Sequence, residues 1–279
     1  MGIKRDITDE MARIASMDDD AVELASSALL IARLQYPTAD AAYYLSMLDD
    51  MAKRLRKRIP EQCEHELPVD LINKVLFEEE GFRGNSNDYY DPRNSCLNEV
   101  LERKLGIPIT LSIVYIEVGR RAGLRTYGIG LPGHFIVGLL TDAGRIFVDP
   151  FNEGRTLTED ACRRIVGTRT GASRAFNRSF LDPVWPKQIL VRLMRNLKGI
   201  YLSRNDQTRA ASLLNWIVML APDDVRELLE RAAYHEAVAD YQGAAADLER
   251  CLDLTHDGEE KDKIRLRIAL LKQHKTLIH

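Results

Sequence analysis

One stretch, "GIPITLSIVYIEVGRRAGL" at residues 106–124, limits the architecture of this chain more than any other. Its first two turns are apolar nearly all round, relieved only by Thr110 and Ser112. A helix of that kind cannot lie on a surface and has to be wrapped by other elements. Pro108 falls near its first turn, where a missing N–H costs nothing, and Gly123 stands where a helix stops. Three short runs follow, "RTYGIGL", "HFIVGLL" and "RIFVDPF", rich in Ile, Val and Phe and broken by Gly, Pro or Asp. They read as strands. "FIVGLL" is apolar on both faces, so the sheet is expected to be covered on each side, with the buried helix as one cover. The fold class is therefore α+β, a buried helix against a small antiparallel sheet.

Helices flank this core. "DAVELASSALLIARLQY" opens with an acidic turn and ends before Pro37, and a second helix begins after Thr38 as its cap candidate. "DLINKVLFEEEGF" reads as a helix stopped by Gly81, and "RGNSNDYYDPRNS" as a polar loop. Ser95 is the cap candidate for "CLNEVLERKLG". From about Pro186 the chain is helical and repeats. "DQTRAASLLNWIVMLAPDD" and "DYQGAAADLERCLDLTHDG" begin at Asp206 and Asp240, 34 residues apart, and Ala210-Ala211 falls on Ala244-Ala245. A helix–turn–helix period of that length, with small residues at the tight positions, resembles tetratricopeptide repeats.

The balance of 39 basic against 42 acidic residues, net −3, leaves no footprint for nucleic acid. The densest basic run, "KRLRKR" at 53–58, reads as a solvated helix end. The first twenty residues hold no apolar run and no membrane-spanning stretch follows, so neither a signal peptide nor a membrane partner is expected. Four scattered cysteines (Cys63, Cys96, Cys162, Cys251) suit free thiols in the cytoplasm. "CEHE" at 63–66 has no second pair to answer it and reads as a surface loop. No metal site and no cofactor motif is expected.

The chemistry gathers at "GLPGHFIVGLLTDAGRIFVDPF", residues 130–151. With a two-residue turn at Asp142-Ala143, Ile136 faces Asp149 and His134 lies two residues further along the same face. Backbone separation on that diagonal is about 7–8 Å, within reach of an imidazole and a carboxylate. A turn shifted by one residue would send them to opposite faces.

The order of buried helix, strand, His-led strand and strand ending in Asp-Pro resembles the transglutaminase-like, papain-related core. "YYDPRNSCLNEVLERKLGIPITLS", "LPGHF" and "FVDPF" are more narrowly similar to the bacterial SirB-type branch, in which such a domain precedes tetratricopeptide repeats; eukaryotic F-box proteins carry a related domain. The resemblance implies residues 1–182 as a transglutaminase-like domain with its N-terminal helices, and 183–279 as tetratricopeptide-like repeats. It also implies a triad in which His134 is the base and Asp149 orients it. The nucleophile position falls on Pro108, or at latest Ile109, and neither carries one.

Thr110 and Ser112 lie one turn further in, where hydroxyls more often bond back to the preceding carbonyls. Cys96 is the better candidate by chemistry, being near a helix start where thiolate is favoured, although a buried cysteine is usually a small hydrophobe. Tyr89, Tyr90, Asp91, Arg93 and Asn94, with Pro108 and Thr110, either line a peptide groove or anchor the loop. Two functions follow. One is a non-catalytic protein that binds a protein or peptide partner in a regulatory or accessory role. The other is a cysteine hydrolase or acyl-transferase using Cys96 with His134 and Asp149.

Overall fold

The computed structural model describes residues 2–59, 68–170 and 176–276, so the Cys-Glu-His-Glu stretch at 63–66 lies outside the described residues. The chain divides into two compact units: Met1–Ile7 with Met17–Leu193, and Thr8–Ser16 with Met194–His279. Helix α1 (Gly2–Ser16) contributes to both.

In the first unit α2 (Leu24–Ala32) and α3 (Ala41–Arg56) precede α4 (Pro68–Asn73), which continues as one π-helical segment, Lys74–Glu79. The helix around Leu24 starts later than its acidic turn suggests, because Asp19–Ala21 is a separate 3₁₀ turn. Asp40 rather than Thr38 caps α3, its carboxylate accepting from the N–H groups of Ala42 and Tyr43. Gly81 stops the next helical segment at φ +75°. Strand β1 (Arg83–Gly84) then leads to α5 (Leu97–Arg103), β2 (Leu105–Gly106) and α6 (Pro108–Arg121). Cys96 holds the N-cap position of α5; Ser95 ends the 3₁₀ turn before it, and its buried hydroxyl has no hydrogen-bond partner among the described residues.

Helix α6 is the axis of this unit. Every residue from Pro108 to Gly119 is buried, as an all-round apolar helix demands. Pro108 is its first residue, and the N–H of Leu124 bonds back to Gly119 while Gly123 turns at φ +93°. Helices α2, α3, α4 and α5 all contact it. It also packs against strands β3 (Arg125–Ile129) and β4 (Ile136–Thr141), whose sheet continues through β5 (Gly144–Asp149) and β6 (Arg155–Leu157) with β7 (Pro183–Val184) on the far edge. The strand order is β6-β5-β4-β3-β7, antiparallel throughout.

Alternation along the strands assigns the two faces. Thr126 on β3 bonds the Ile116 carbonyl of α6, and its partner Leu139 shares that face. Ile129 and Ile136 point the other way, into an apolar cluster with Leu131, Leu181 and the Cys162 and Val166 side chains of α7 (Glu159–Thr170). Both faces of the sheet are therefore covered where Ile136–Leu139 run, but Leu140 at the hairpin end is 37% exposed. Helix α7 itself was not anticipated.

The second unit carries α8 (Pro186–Ser203, from Met194 onward), α9 (Gln207–Leu220), α10 (Val225–Ala237), α11 (Tyr241–Leu254) and α12 (Gly258–Thr276). The 34-residue period is exact at the backbone level. Asn205 and Ala239 turn at φ 59° and 58°, and Asp206 and Asp240 cap α9 and α11 at φ/ψ of −85°/73° and −85°/72°. Ala210 and Ala244 are buried at matching positions.

Candidate functional site

The hairpin turns at Asp142-Ala143, since Thr141 pairs with Gly144 and Val137 with Val148. That register brings Asp149 and His134 to one face, and the imidazole Nε2 lies 2.9 Å from Asp149 Oδ2. Both side chains are buried, His134 at 5% exposure and Asp149 at 2%. His134 precedes β4, held in a turn by its own N–H bonding to the Leu131 carbonyl. Arg192 clamps this turn from outside, donating to the carbonyls of Leu131 (2.8 Å) and His134 (2.6 Å).

Asp149 is fully engaged. It also accepts from Asn152 Nδ2 at 2.8 Å and from the Phe151 N–H at 3.1 Å. Burial pushes its pKa up, but the bond and charge of His134 and the two further donors outweigh that and hold the carboxyl below its ordinary value. The pair therefore rests as an oriented imidazole with Nδ1 uncommitted, since no hydrogen bond to it is made among the described residues.

The position that the resemblance assigns to the nucleophile is filled and closed. Ile107 and Ile109 are 2% and 1% exposed, and Pro108 between them is buried. The Thr110 hydroxyl accepts from the Ile107 N–H at 3.1 Å and donates to the Asn94 carbonyl at 2.7 Å, so its proton joins the loop to the helix. Ser112 is buried with its hydroxyl unpartnered among the described residues. Cys96, 1% exposed, sits near the Tyr36 phenol, whose pKa burial and then the Cys96 charge push up to about 12. A second buried thiol, Cys162 on α7, is pushed up to about 11 by burial and by the Asp149 charge, which makes it a protonated hydrophobe at neutral pH.

The loop before α5 divides between its two anticipated roles. Asp91 caps the 3₁₀ turn Pro92–Ser95 and takes Arg93 Nε at 2.7 Å, and Asn94, wholly buried, donates to the Asp88 carbonyl and accepts from Asn85. Those two are anchors. Tyr90 is 73% exposed and stacks edge-on against the half-buried Tyr89, which in turn meets the Phe151 ring 6.1 Å away. Phe151 lies edge-on to His134 at 6.3 Å, so an aromatic row runs from the loop to the pair. Arg93 is exposed at its border.

The pair opens toward α7. A cavity of about 310 Å³ has His134 and Asp149 among its walls, with Asn152, Arg155 and Leu157 from the strand side. Ala161, Arg164, Ile165, Thr168 and Arg169 line it from α7. Sequence reasoning missed this wall. Only Cys162, Ile165 and Val166 give α7 an apolar stripe, too narrow a signal in a segment rich in Arg and Thr.

Comparison with known proteins fits this architecture. The profile of the transglutaminase-like superfamily matches residues 42–195, and that of the tetratricopeptide repeat matches residues 197–269. The chain belongs to the transglutaminase-like superfamily. A UPF0162 protein of Xylella fastidiosa is 37% identical over 95% of this chain and 96% of its own length. A UPF0162 protein of Pseudomonas aeruginosa is 26% identical over 89% and 90%. Mouse F-box only protein 21 is 31% identical over 59% of this chain but only 27% of its own length. A transglutaminase-like domain followed by tetratricopeptide repeats is the order that the SirB-type resemblance implied. Among the described residues, no group of three or more His, Cys, Asp or Glu side chains is placed to hold a metal ion, and no helix is long and apolar enough to cross a membrane.

Proposed function

We propose that this protein is a non-catalytic member of its superfamily that holds a protein or peptide partner in a regulatory or accessory role in the cytoplasm. The observation that carries the reading is Pro108, buried at the first position of α6 where the attacking thiol of a catalytic member would stand. The His134–Asp149 pair keeps its geometry without a nucleophile to serve, and as a satisfied buried pair it anchors the ends of the hairpin. The cleft beside it, with the row Tyr89–Phe151–His134, is the surface left for a partner, and the tetratricopeptide unit is of a class that commonly holds peptides or helices. Free, buried thiols at Cys96, Cys162 and Cys251 agree with a reducing compartment.

The competing enzyme reading needs the Cys96 sulfur within hydrogen-bond reach of His134. Alkylation by iodoacetamide at mildly acidic pH, read cysteine by cysteine by mass spectrometry, separates the two. The expected result is that the rate of no cysteine depends on His134. A thiol that reacts ahead of the others and loses its advantage in His134→Ala overturns the binding reading.

A further inference from the structure

Three guanidinium groups share the cavity beside the His134–Asp149 pair: Arg155 at the start of β6, and Arg164 and Arg169 on α7. None of them makes an ion pair among the described residues, and all three are exposed. Their neighbours differ: on the same helix Arg163 pairs with Asp160, and nearby Arg178 forks onto Glu159. The one acidic group in the cavity wall, Asp149, is already taken up by His134, Asn152 and the Phe151 N–H. Position is fixed as well as charge. Gly133, at φ +74°, brings the turn that carries His134 so close to α7 that a Cβ there would stand 2.6 Å from Arg169 Cβ. Burial pushes the Tyr89 pKa up, and Arg169 lies near enough for its charge to oppose that rise. Positive charge and the His134–Asp149 pair thus meet in one concave space.

We infer that this cavity binds an acidic segment of a protein partner, with carboxylates held by Arg164 and Arg169. The inference rests on the binding-protein reading and names its ligand chemistry. Arginine is suited to the task because its planar fork meets a carboxylate with two parallel N–H···O bonds and cannot lose its charge. Arg164 and Arg169 are five residues apart on α7, about 140° around the helix, so they stand on opposite borders of its cavity-lining stripe and can meet two carboxylates of one segment. The ionised Asp149 in the wall disfavours a compact dianion such as phosphate over carboxylates spread along a backbone.

The test uses the full chain and a fluorescein-labelled octapeptide alternating Glu and Ser, with the Gln–Ser octapeptide as control, read by fluorescence polarisation. Glu–Ser should bind at least about tenfold more tightly than Gln–Ser, with an affinity that falls as salt rises. Arg164→Gln and Arg169→Gln should each weaken binding several-fold, and the double variant should reduce it to the control level. Arg265→Gln in the second unit should change nothing. Because all three substituted arginines are exposed, these variants should keep the wild-type unfolding midpoint. Equal binding of the two peptides, or a double variant that binds as the wild type does, overturns the inference. So does tight binding of inorganic phosphate, used as competitor, with no binding of the Glu–Ser peptide. Any of these results with no His134-dependent cysteine in the alkylation assay removes the acidic ligand alone and leaves the binding-protein reading intact.

Discussion

Replacing Asp149 by Ala tests whether the buried pair is a structural element. Three donors lose their acceptor at once: His134 Nε2 at 2.9 Å, Asn152 Nδ2 at 2.8 Å and the Phe151 N–H at 3.1 Å. A hydrogen bond to a charged group is worth about 1.5–3 kcal/mol, and a buried donor left unpaired costs about 1–3 kcal/mol. Those figures would sum higher, but His134 and Asn152 border the cavity, and water entering it can satisfy part of the deficit. The expected destabilisation is therefore roughly 3–5 kcal/mol, the range for breaking a buried pair by removing one partner. Asp149→Asn keeps one acceptor oxygen and should cost less.

Two units make a single bulk transition unsafe, so the readout should be local. Cys162 serves: it is fully buried against the sheet face that carries Asp149. Pulsed alkylation of Cys162 across a urea series, quantified by peptide mass spectrometry, reports the opening of this core. Its midpoint should fall markedly in Asp149→Ala. The pH dependence has a defined sign. Because the folded pKa lies below the ordinary 3.8, the carboxylate's contribution is complete above that value and is lost as pH falls through the lower, folded one. The gap between wild type and Asp149→Ala should thus be constant near neutrality and close in strong acid. A midpoint shift equivalent to less than about 1 kcal/mol at neutral pH would refute the structural account of the pair.

Gly133→Ala should destabilise the first unit by about 1–3 kcal/mol, because it forces a left-handed φ of +74° on a residue with a Cβ and drives that Cβ against Arg169; the same Cys162 midpoint measures it. Asp206→Ala and Asp240→Ala each remove an N-cap bond, to Arg209 N–H and Gly243 N–H respectively, and each should cost about 1 kcal/mol in denaturant unfolding of the second unit. Cys162, with its thiol pushed up to about 11, should resist iodoacetamide in the native protein at pH near 8 and react only on unfolding.

The pairing of His134 with Asp149 was legible in the sequence because a two-residue turn fixes strand parity, and parity decides which side chains share a face. The 34-residue repeat was legible for a similar reason, since each unit restarts at an aspartate with the same backbone role. Helix boundaries were less so. Ser95 looks like a cap, yet the preceding Asp91 draws it into a 3₁₀ turn and the cap position passes to Cys96. The arginine wall could not be read at all. Arg155, Arg164 and Arg169 are surface residues by local pattern, and only the packing of α7 across the sheet gathers them around His134.

On the proposed reading, that gathering bears on why the site would keep its other parts without a thiol. Access to α6 at the nucleophile position is closed by Ile107, Pro108 and Ile109, all buried. A buried carboxylate is costly to desolvate, and a pair retained for stability alone is often replaceable by apolar residues at little loss. Here replacement would remove more than a pair. The Asp149 carboxylate also fixes the Phe151 N–H and Asn152, and Phe151 carries the aromatic row to Tyr89. His134 sits in the turn that Arg192 clamps and that Gly133 presses against Arg169. The pair thus joins the basic wall of the cavity to the aromatic row that runs from His134 to Tyr89. On this account Asp149→Asn, which preserves the anchoring geometry better than Ala, should also preserve peptide binding better, and binding loss across Asp149 variants should track the loss of order in the Phe151 turn and not the loss of charge.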